Sequence, residues 1–399
     1  MLIIMSFAMS LTIIFFLFFI LNLLTFSRLQ PVSLKNHEQQ TAPFFSILVP
    51  ARNEEHNIAA CVSSLVAQHY ERLEVLVLDD TSDDATAEIV LRIIDELPAA
   101  QKGRLRLLPG AEVPPGWAGK NFACHQLSQV AKGDYLFFTD ADTIHHPETI
   151  ATVLACMKRS RVQLLTAQPE YMLNGLGERL IMPSFNFMNM TFLPLPLMAR
   201  SKAPILATGN GQLLCFERSA YKAIGGHVAV KGNILEDVAL ARATRAAGYR
   251  MIFVNALLLV RCRMYRSLAE IWQGYSKNFF AFYNHALMFA LAGLILKLLL
   301  YVLTPFLLLY SLFVPLSPLP VLLSSIIYGI TITMRITLSL HFEGRAGAMM
   351  LPLCLLHPIA ILFDCLILLN SIRWYYRSKG IEWKGRQYRT QSAANLLSE

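Results

Sequence analysis

Between residues 1 and 27 the chain carries no charged side chain, and residues 11–24 are almost wholly apolar. A bilayer core about 30 Å thick takes about 20 such residues in a helix. Three more apolar blocks, at 287–314, 319–340 and 349–369, are broken by Pro315, Pro318 and Pro320 and by the stretch 343–347. A chain apolar at both ends cannot fold as one water-soluble globule. The charged fraction, 16%, lies well below the roughly 25% of soluble domains. A cleaved signal peptide would show a basic start, a shorter apolar core and a small-x-small cleavage site. None is present, so residues 1–27 are expected to be an N-terminal transmembrane anchor. Arg28 and Lys35 follow it and place the next segment in the cytoplasm. Residues 286–371 are expected to be transmembrane or interfacial helices, and 372–399 a basic cytoplasmic tail.

That assignment contains a conflict. Three crossings after a cytoplasmic start would leave the tail outside. Yet Arg373, Arg377, Lys379, Lys384, Arg386 and Arg389 mark it as internal. One block is therefore expected to be interfacial or re-entrant. The first, with Lys297, and the last, with His357, Pro358 and Asp364, are the candidates.

The net charge of +8 gathers near the apolar segments and in the tail, as for attraction to anionic lipid headgroups. No nucleic-acid recognition motif accompanies it, so no nucleic-acid partner is expected. The seven cysteines are scattered without a C-x-x-C pair. They form neither a zinc pattern nor a disulfide framework.

Residues 44–280 read as an α/β domain. Apolar runs at 44–50, 73–78, 105–108 and 134–138 alternate with helical stretches at 55–68, 85–97 and 121–131. Segments 163–167, 205–216 and 250–254 supply later strands. Such alternation predicts a mostly parallel sheet with right-handed crossovers.

Ligands bind beyond the carboxyl ends of parallel strands. Acidic residues follow three of these runs: Glu54 and Glu55 after the first, Asp79, Asp80 and Asp83 after the second, Asp140 and Asp142 after 134–138. Helix capping accounts for Glu55 and Asp83. It does not account for Asp140 and Asp142, which two apart in an extended stretch point the same way. Two carboxylates crowding one side of a cleft call for a cation between them. A divalent ion held by one or two carboxylates and substrate phosphates meets that need. His145 and His146 find no second His/Cys cluster, and they precede Pro147 at a helix start.

The order P-A-R-N-E-E (50–55), V-L-D-D-T-S-D-D (77–84), G-K-N-F-A (119–123), T-D-A-D (139–142) and L-E-D-V-A-L (235–240) resembles that of family 2 glycosyltransferases, over roughly residues 44–280. G-W-A-G-K (116–120) and W-K-G-R-Q-Y (383–388) resemble a narrower membrane branch, the carotenoid glucosyltransferases and hopanoid-associated enzymes. The resemblance implies an α/β GT-A nucleotide-sugar-binding fold with a mostly parallel central sheet. It implies that Glu54 and Asp80 hold the uracil or ribose end of a UDP-sugar donor and that Asp140 contacts ribose or metal. Asp142 would coordinate Mg²⁺ or Mn²⁺ against the diphosphate. Lys120 would approach the phosphates, unless it is a solvated lysine at a helix start. Asp237 would be the general base, with helix capping as the alternative. Adjacent helical residues point about 100° apart, so Glu236 and Asp237 cannot both aim at one acceptor atom.

Residues 208–212 (T-G-N-G-Q) either let backbone approach the sugar or form a plain turn. The relatives' Q-x-x-R-W is replaced by W-Q-G-Y-S-K-N (272–278), which weakens a polymer-synthase reading. Lys277 is then the candidate for the leaving diphosphate; the alternative is an interfacial lysine beside Trp272 and Tyr275. Segment 179–200, rich in Met, Phe, Leu and Pro, is expected to lie on the membrane and receive the acceptor. These readings give an integral protein of the cell (inner) membrane. It would move a hexose, glucose foremost, from a UDP-sugar to a hydroxyl or carboxyl of a lipid acceptor such as a carotenoid or hopanoid. A polysaccharide synthase and a non-catalytic membrane partner of another transferase are the rivals.

Overall fold

The computed structural model describes residues 1–343, 347–376, 381–383 and 386–388. The chain forms two compact units. One comprises Phe26–Met172 and Leu195–Met264 and holds the large sheet. The other comprises Met1–Thr25, Leu173–Pro194 and the chain from Tyr265, and it is helical.

The sheet unit is built on ten strands: β1 (Phe45–Ala51), β2 (Leu73–Asp79), β3 (Leu105–Pro109), β4 (Tyr135–Phe138), β5 (Thr143–His145), β6 (Leu164–Gln168), β7 (Glu170–Tyr171), β8 (Leu214–Glu217), β9 (Met251–Asn255) and β10 (Val260–Cys262). Seven form one sheet in the order β3-β2-β1-β4-β8-β6-β9. All its pairings are parallel except those of β8, which runs antiparallel to both β4 and β6. Strands β1 and β2 are buried on both faces, which is why their sequences read as unbroken apolar runs. Ile58, Cys61, Val62 and Leu65 of helix Ile58–Val66 join Ile47, Val49, Val75 and Val77 in the core. Glu74, a buried acid of β2, accepts from the Ser46 hydroxyl at 2.6 Å and the Lys132 amide at 2.7 Å. It thereby meets the requirement that a buried charge be hydrogen-bonded.

The mostly parallel α/β sheet matches expectation, with one overreach. Segment 205–216 was expected to be a strand, and only Leu214–Glu217 is one. Pro204–Leu206 is a short 3₁₀ turn, and the Asn210 amide is held by the Thr166 hydroxyl at 2.9 Å. The loop 208–212 is thereby turned out of the sheet. A second, three-stranded sheet, β5-β10-β7, sits beside the end of β4.

Among the described residues the helical unit contains four helices long and apolar enough to cross a membrane: Leu2–Thr25, Leu287–Ser311, Pro318–Phe342 and His357–Tyr376. The second passes through a π-helical turn at Leu298–Leu303. Lys297 and Asp364, which had marked two blocks as interfacial candidates, pair with each other while buried. Arg335 pairs with Glu343 at 3.0 Å, also buried. These charges are neutralised inside the helical unit, so they do not single out a block that fails to span. The stretch 344–346 and tail positions 377–380, 384–385 and 389–399 lie outside the described residues, and so does the tail's expected basic character at Arg377, Lys379, Lys384 and Arg389.

The segment 179–200, expected to lie on the membrane and receive the acceptor, is in part internal. It is divided near Pro194 between the two units. Its first part, helix Pro183–Phe192, buries Ser184, Asn186, Phe187, Met190 and Thr191. Pro183 stands at the helix start, where its missing N–H costs nothing. Asn22, buried on the first long helix, donates its amide to the carbonyls of Met190 at 2.8 Å and Leu193 at 2.6 Å. Phe15 meets Phe192 edge-on, ring centres 4.7 Å apart. The N-terminal helix is thus built into the helical unit and satisfies carbonyls at a helix end that would otherwise lack partners.

Candidate active site

The carboxyl ends of β1 and β2 are laced together. Asn53 and Thr81 both adopt left-handed backbone, at φ 52° and 54°. The Arg52 guanidinium donates to the carbonyls of Asp80 at 2.6 Å and Thr81 at 2.9 Å. The amides of Asn53 and Glu55 donate to Ser82 and Asp84 at 3.0 Å each, and the Asp83 amide donates to Asn53. Arg52, Asn53 and Glu55 therefore shape the strand ends. Glu54 is steadied by the Asn57 amide at 2.9 Å, and Asp80 is buried.

Asp140 and Asp142 lie in a turn, not in extended chain, so the alternation expected to aim both carboxylates the same way does not apply. Ala141 is buried between them while both acids stay partly open. The Asp142 carbonyl accepts from the Arg263 amide at 3.0 Å, which ties the motif to β10. Burial first, then the charges of Asp142, Asp140 and Glu54, hold the Cys262 thiol protonated well above its usual range. Acids from the ends of β1 and β4 thus reach one buried sulfur. His145, by contrast, is buried with its Nε2 between the hydroxyls of Thr139 at 3.1 Å and Thr143 at 2.9 Å, and burial lowers it to about 3. It is structural.

Lys120 is the hub. At the start of helix Gly119–Val130, its Nζ lies 2.6 Å from Asp140 Oδ1 and 2.7 Å from Glu236 Oε1. Burial alone would lower the ammonium's pKa, but Asp140 and Glu236 raise it well above the usual lysine value. The same charges, together with Asp80, act on the buried Cys124 thiol. Lys120 is therefore not a solvated helix-start lysine.

Asp237 follows in helix Glu236–Ala246. Its Oδ2 accepts from the Gly211 amide at 2.9 Å and its Oδ1 from the Val238 amide at 2.8 Å. Burial, then the neighbouring Glu236 charge, raises its pKa to about 7, against the opposing pull of Lys120 and the two amides. A carboxylate poised near neutrality suits proton abstraction. The helix cap is Leu235, so capping does not explain Asp237.

The approach to that helix is fixed by the G-W-A-G-K-N segment. The Asn121 amide donates to the carbonyls of Val230 at 2.8 Å, Lys231 at 3.2 Å and Asn233 at 2.9 Å, and the Ala118 amide donates to Lys231 at 2.8 Å. Trp117 packs on Phe122 and His125, centres 5.3 and 5.1 Å away. The loop 208–212 completes the arrangement. A Cβ on Gly209 would lie 2.5 Å from the Asp237 carbonyl oxygen, and one on Gly211 would lie 2.8 Å from Lys120 Nζ. A side chain at 209 would strike backbone, whereas one at 211 would have to displace the Lys120 ammonium.

A family model described as "Glycosyltransferase like family 2" matches residues 42–282. The chain belongs to this family. It is a family 2 glycosyltransferase, and two curated relatives span nearly its whole length. The 4,4'-diaponeurosporenoate glycosyltransferase of Staphylococcus haemolyticus is 25% identical over 366 residues, 89% of this chain and 91% of that one. The enzyme of the same name from Staphylococcus aureus (strain bovine RF122 / ET3-1) is 23% identical over 371 residues, 88% and 89%. Among solved structures, the mannosyltransferase PcManGT from Pyrobaculum calidifontis, in complex with GDP-Man and Mn²⁺, superposes with a TM-score of 0.53 at 18% identity, covering 90% of this chain and 99% of that one. That likeness concerns the fold, which is GT-A.

In this glycosyltransferase, six of the seven residues expected at the site lie in the sheet unit: Glu54, Asp80, Lys120, Asp140, Asp142 and Asp237. Lys277 belongs to the helical unit, half-buried on helix Leu268–Phe282. Glu236, Gly211 and Asn121 were not assigned from sequence. The E-D and G-N-G patterns were visible, but nothing in them shows that Glu236 meets Lys120 or that Gly211 holds Asp237. Among the described residues no group of three or more His, Cys, Asp or Glu side chains forms a metal cage. Asp140 and Asp142 nevertheless fit a hard divalent ion. Two carboxylates with the remaining ligands left to phosphates and water is how Mg²⁺ is ordinarily held.

Proposed function

We propose that this protein is an inverting, metal-dependent hexosyltransferase. It moves glucose from UDP-glucose to a hydroxyl or carboxyl of a carotenoid- or hopanoid-like lipid at the cytoplasmic face of the cell membrane. The observation that carries this reading is the Asp237 carboxylate. It is fixed by two backbone amides and lies one residue from the Glu236–Lys120–Asp140 chain of charge.

In this reading Glu54 and Asp80 hold the nucleoside, and Lys120 faces the diphosphate. Asp140 and Asp142 would hold Mg²⁺ or Mn²⁺, which when bound would neutralise charge growing on the leaving diphosphate. With a hydroxyl acceptor, Asp237 takes the proton as the oxygen attacks the anomeric carbon from the face opposite the diphosphate. The glycosidic bond forms as the bond to UDP breaks, and the configuration inverts. A carboxyl acceptor arrives already ionised at neutral pH and relies on the site for orientation. The staphylococcal relatives are named for a carotenoid-type acid, which supports a lipid acceptor. The apolar helices that precede and follow the transferase region in sequence support membrane delivery.

The test is mass spectrometry of membrane lipids from cells with the active protein and with an Asp142→Asn variant. A lipid that gains one hexose only with the active protein is expected. Release of the sugar by mild alkali marks an ester to a carboxyl, and resistance marks a glycoside of a hydroxyl. Identical lipid profiles, or sugar polymer in place of a singly glycosylated lipid, would reject the proposal.

A further inference from the structure

Lys120 makes contacts that a lysine serving only a diphosphate does not need. Its ammonium bridges Asp140 Oδ1 and Glu236 Oε1 at 2.6 and 2.7 Å. Glu236 is buried, and Gly211 closes the third side so tightly that a methyl group there would come within 2.8 Å of Nζ. The ammonium thus sits against the carboxylate that, in the reading above, contacts the cation. Asp140 Oδ2 is left to an ion, but an ammonium on Oδ1 already neutralises that carboxylate and repels a divalent cation brought beside it.

We infer that Lys120 guards the metal position. The ion settles on Asp140 only when a nucleotide diphosphate draws the ammonium away, and Glu236 is the positioning residue that keeps the ammonium within reach of both. An ammonium has three donors on a flexible stem. It can leave Asp140 for a phosphate oxygen while still donating to Glu236. Metal and nucleotide then bind as one unit. The inference rests on the metal-dependent reading, but its measurement is separate from sugar transfer.

The experiment uses the full-length protein in detergent, with bound Mn²⁺ measured by electron paramagnetic resonance, with and without UDP. The wild type should bind Mn²⁺ at least tenfold more tightly with UDP than without. Lys120→Met should bind Mn²⁺ without UDP at least tenfold more tightly than the wild type, since Asp140 and Glu236 lose their internal cation. Glu236→Gln should move the other way: with one acid fewer and Lys120 committed to Asp140, its UDP-free affinity should fall below that of the wild type. A structural salt bridge with the metal held elsewhere predicts no gain in Lys120→Met. Equal affinities for that variant and the wild type would overturn the inference, as would UDP-free binding by Glu236→Gln equal to or tighter than that of the wild type. The second variant decides the matter should the first fail to fold. No Mn²⁺ bound by any of the proteins even with UDP would overturn both the inference and the metal reading. The expected Mn²⁺ pattern without a glycosylated lipid in cells would reject only the proposed acceptor chemistry.

Discussion

Two glycines two residues apart should fail in different ways. A Cβ built on Gly209 comes 2.5 Å from the Asp237 carbonyl oxygen and 2.8 Å from its carbonyl carbon. Both are backbone atoms inside a helix, and the overlap with a normal contact near 3.5 Å is about an ångström. Gly209→Ala must therefore push the Asp237 backbone away or distort the loop, at about 1–3 kcal/mol of stability, as for overpacked cores. A misplacement of about 1 Å at a reacting group costs about 10²-fold in rate, or about 2.7 kcal/mol of barrier. On Gly211 the nearest atom is Lys120 Nζ at 2.8 Å, the end of a flexible side chain, with the Asp140 and Glu236 carboxylates at 3.5 Å. Gly211→Ala should displace the ammonium at little cost in stability. Steady-state UDP release by the full-length enzyme, with thermal unfolding in parallel, separates them. Gly209→Ala should lose about 10²-fold in kcat with donor KM nearly unchanged and a lowered Tm. Gly211→Ala should raise donor KM and keep its Tm. Wild-type kcat in Gly209→Ala, or the same kinetic pattern in both variants, would refute the geometry argued for Asp237 and Lys120.

Other outcomes follow from the same contacts. Asn121→Ala leaves three loop carbonyls without their amide, should cost about 1–3 kcal/mol, and should lower kcat by loosening the approach to Asp237; Asn121→Asp should not rescue it, because a carboxylate would face carbonyl oxygens. Lys297→Met strands a buried Asp364 and should destabilise the detergent-solubilised protein by about 3–5 kcal/mol, whereas adding Asp364→Leu should recover most of the loss, read by thermal unfolding. With a hydroxyl acceptor, kcat/KM should fall as pH drops through about 7, since Asp237 must be ionised to take a proton. The same raised pKa means the folded protein binds a proton there more tightly than the unfolded chain, so this group's contribution to stability declines as pH rises from 3.8 to about 7, which pH-dependent denaturant melts of the wild type and Asp237→Asn would compare.

The sequence was most informative where burial is two-sided. Strands β1 and β2 read as unbroken apolar runs because both faces are covered, and their ends fell within a residue or two of expectation. Acids placed after those runs were legible as candidate site residues because parallel strands bring their carboxyl ends to one edge. Strands β5 and β10, three residues each, are too short to show a period. The span 205–216 looked like a longer strand because the apolar residues on either side of T-G-N-G-Q hide the loop's bonds to Thr166 and Asp237. Pairings between residues far apart in the chain were the least visible. Lys120 could be assigned to the phosphates from its motif, but its ion pair with Glu236 could not be seen there. Lys297 and Asp364 looked like marks of interfacial blocks, because a charge in an apolar run reveals nothing of its partner. Segment 179–200 looked like a membrane-surface element because its prolines suggested irregular chain, whereas Pro183 opens a helix that is largely buried.

The account stands or falls on Asp237 as the group that serves the acceptor. The most direct measurement is single-turnover transfer from a labelled UDP-sugar to a lipid alcohol by Asp237→Asn, alongside UDP affinity by calorimetry. UDP affinity within about twofold of the wild type, with transfer slowed by 10²-fold or more, the order of a lost general base, is the predicted result. Transfer to the alcohol at the wild-type rate, with the variant's occupancy of that position verified, would contradict it.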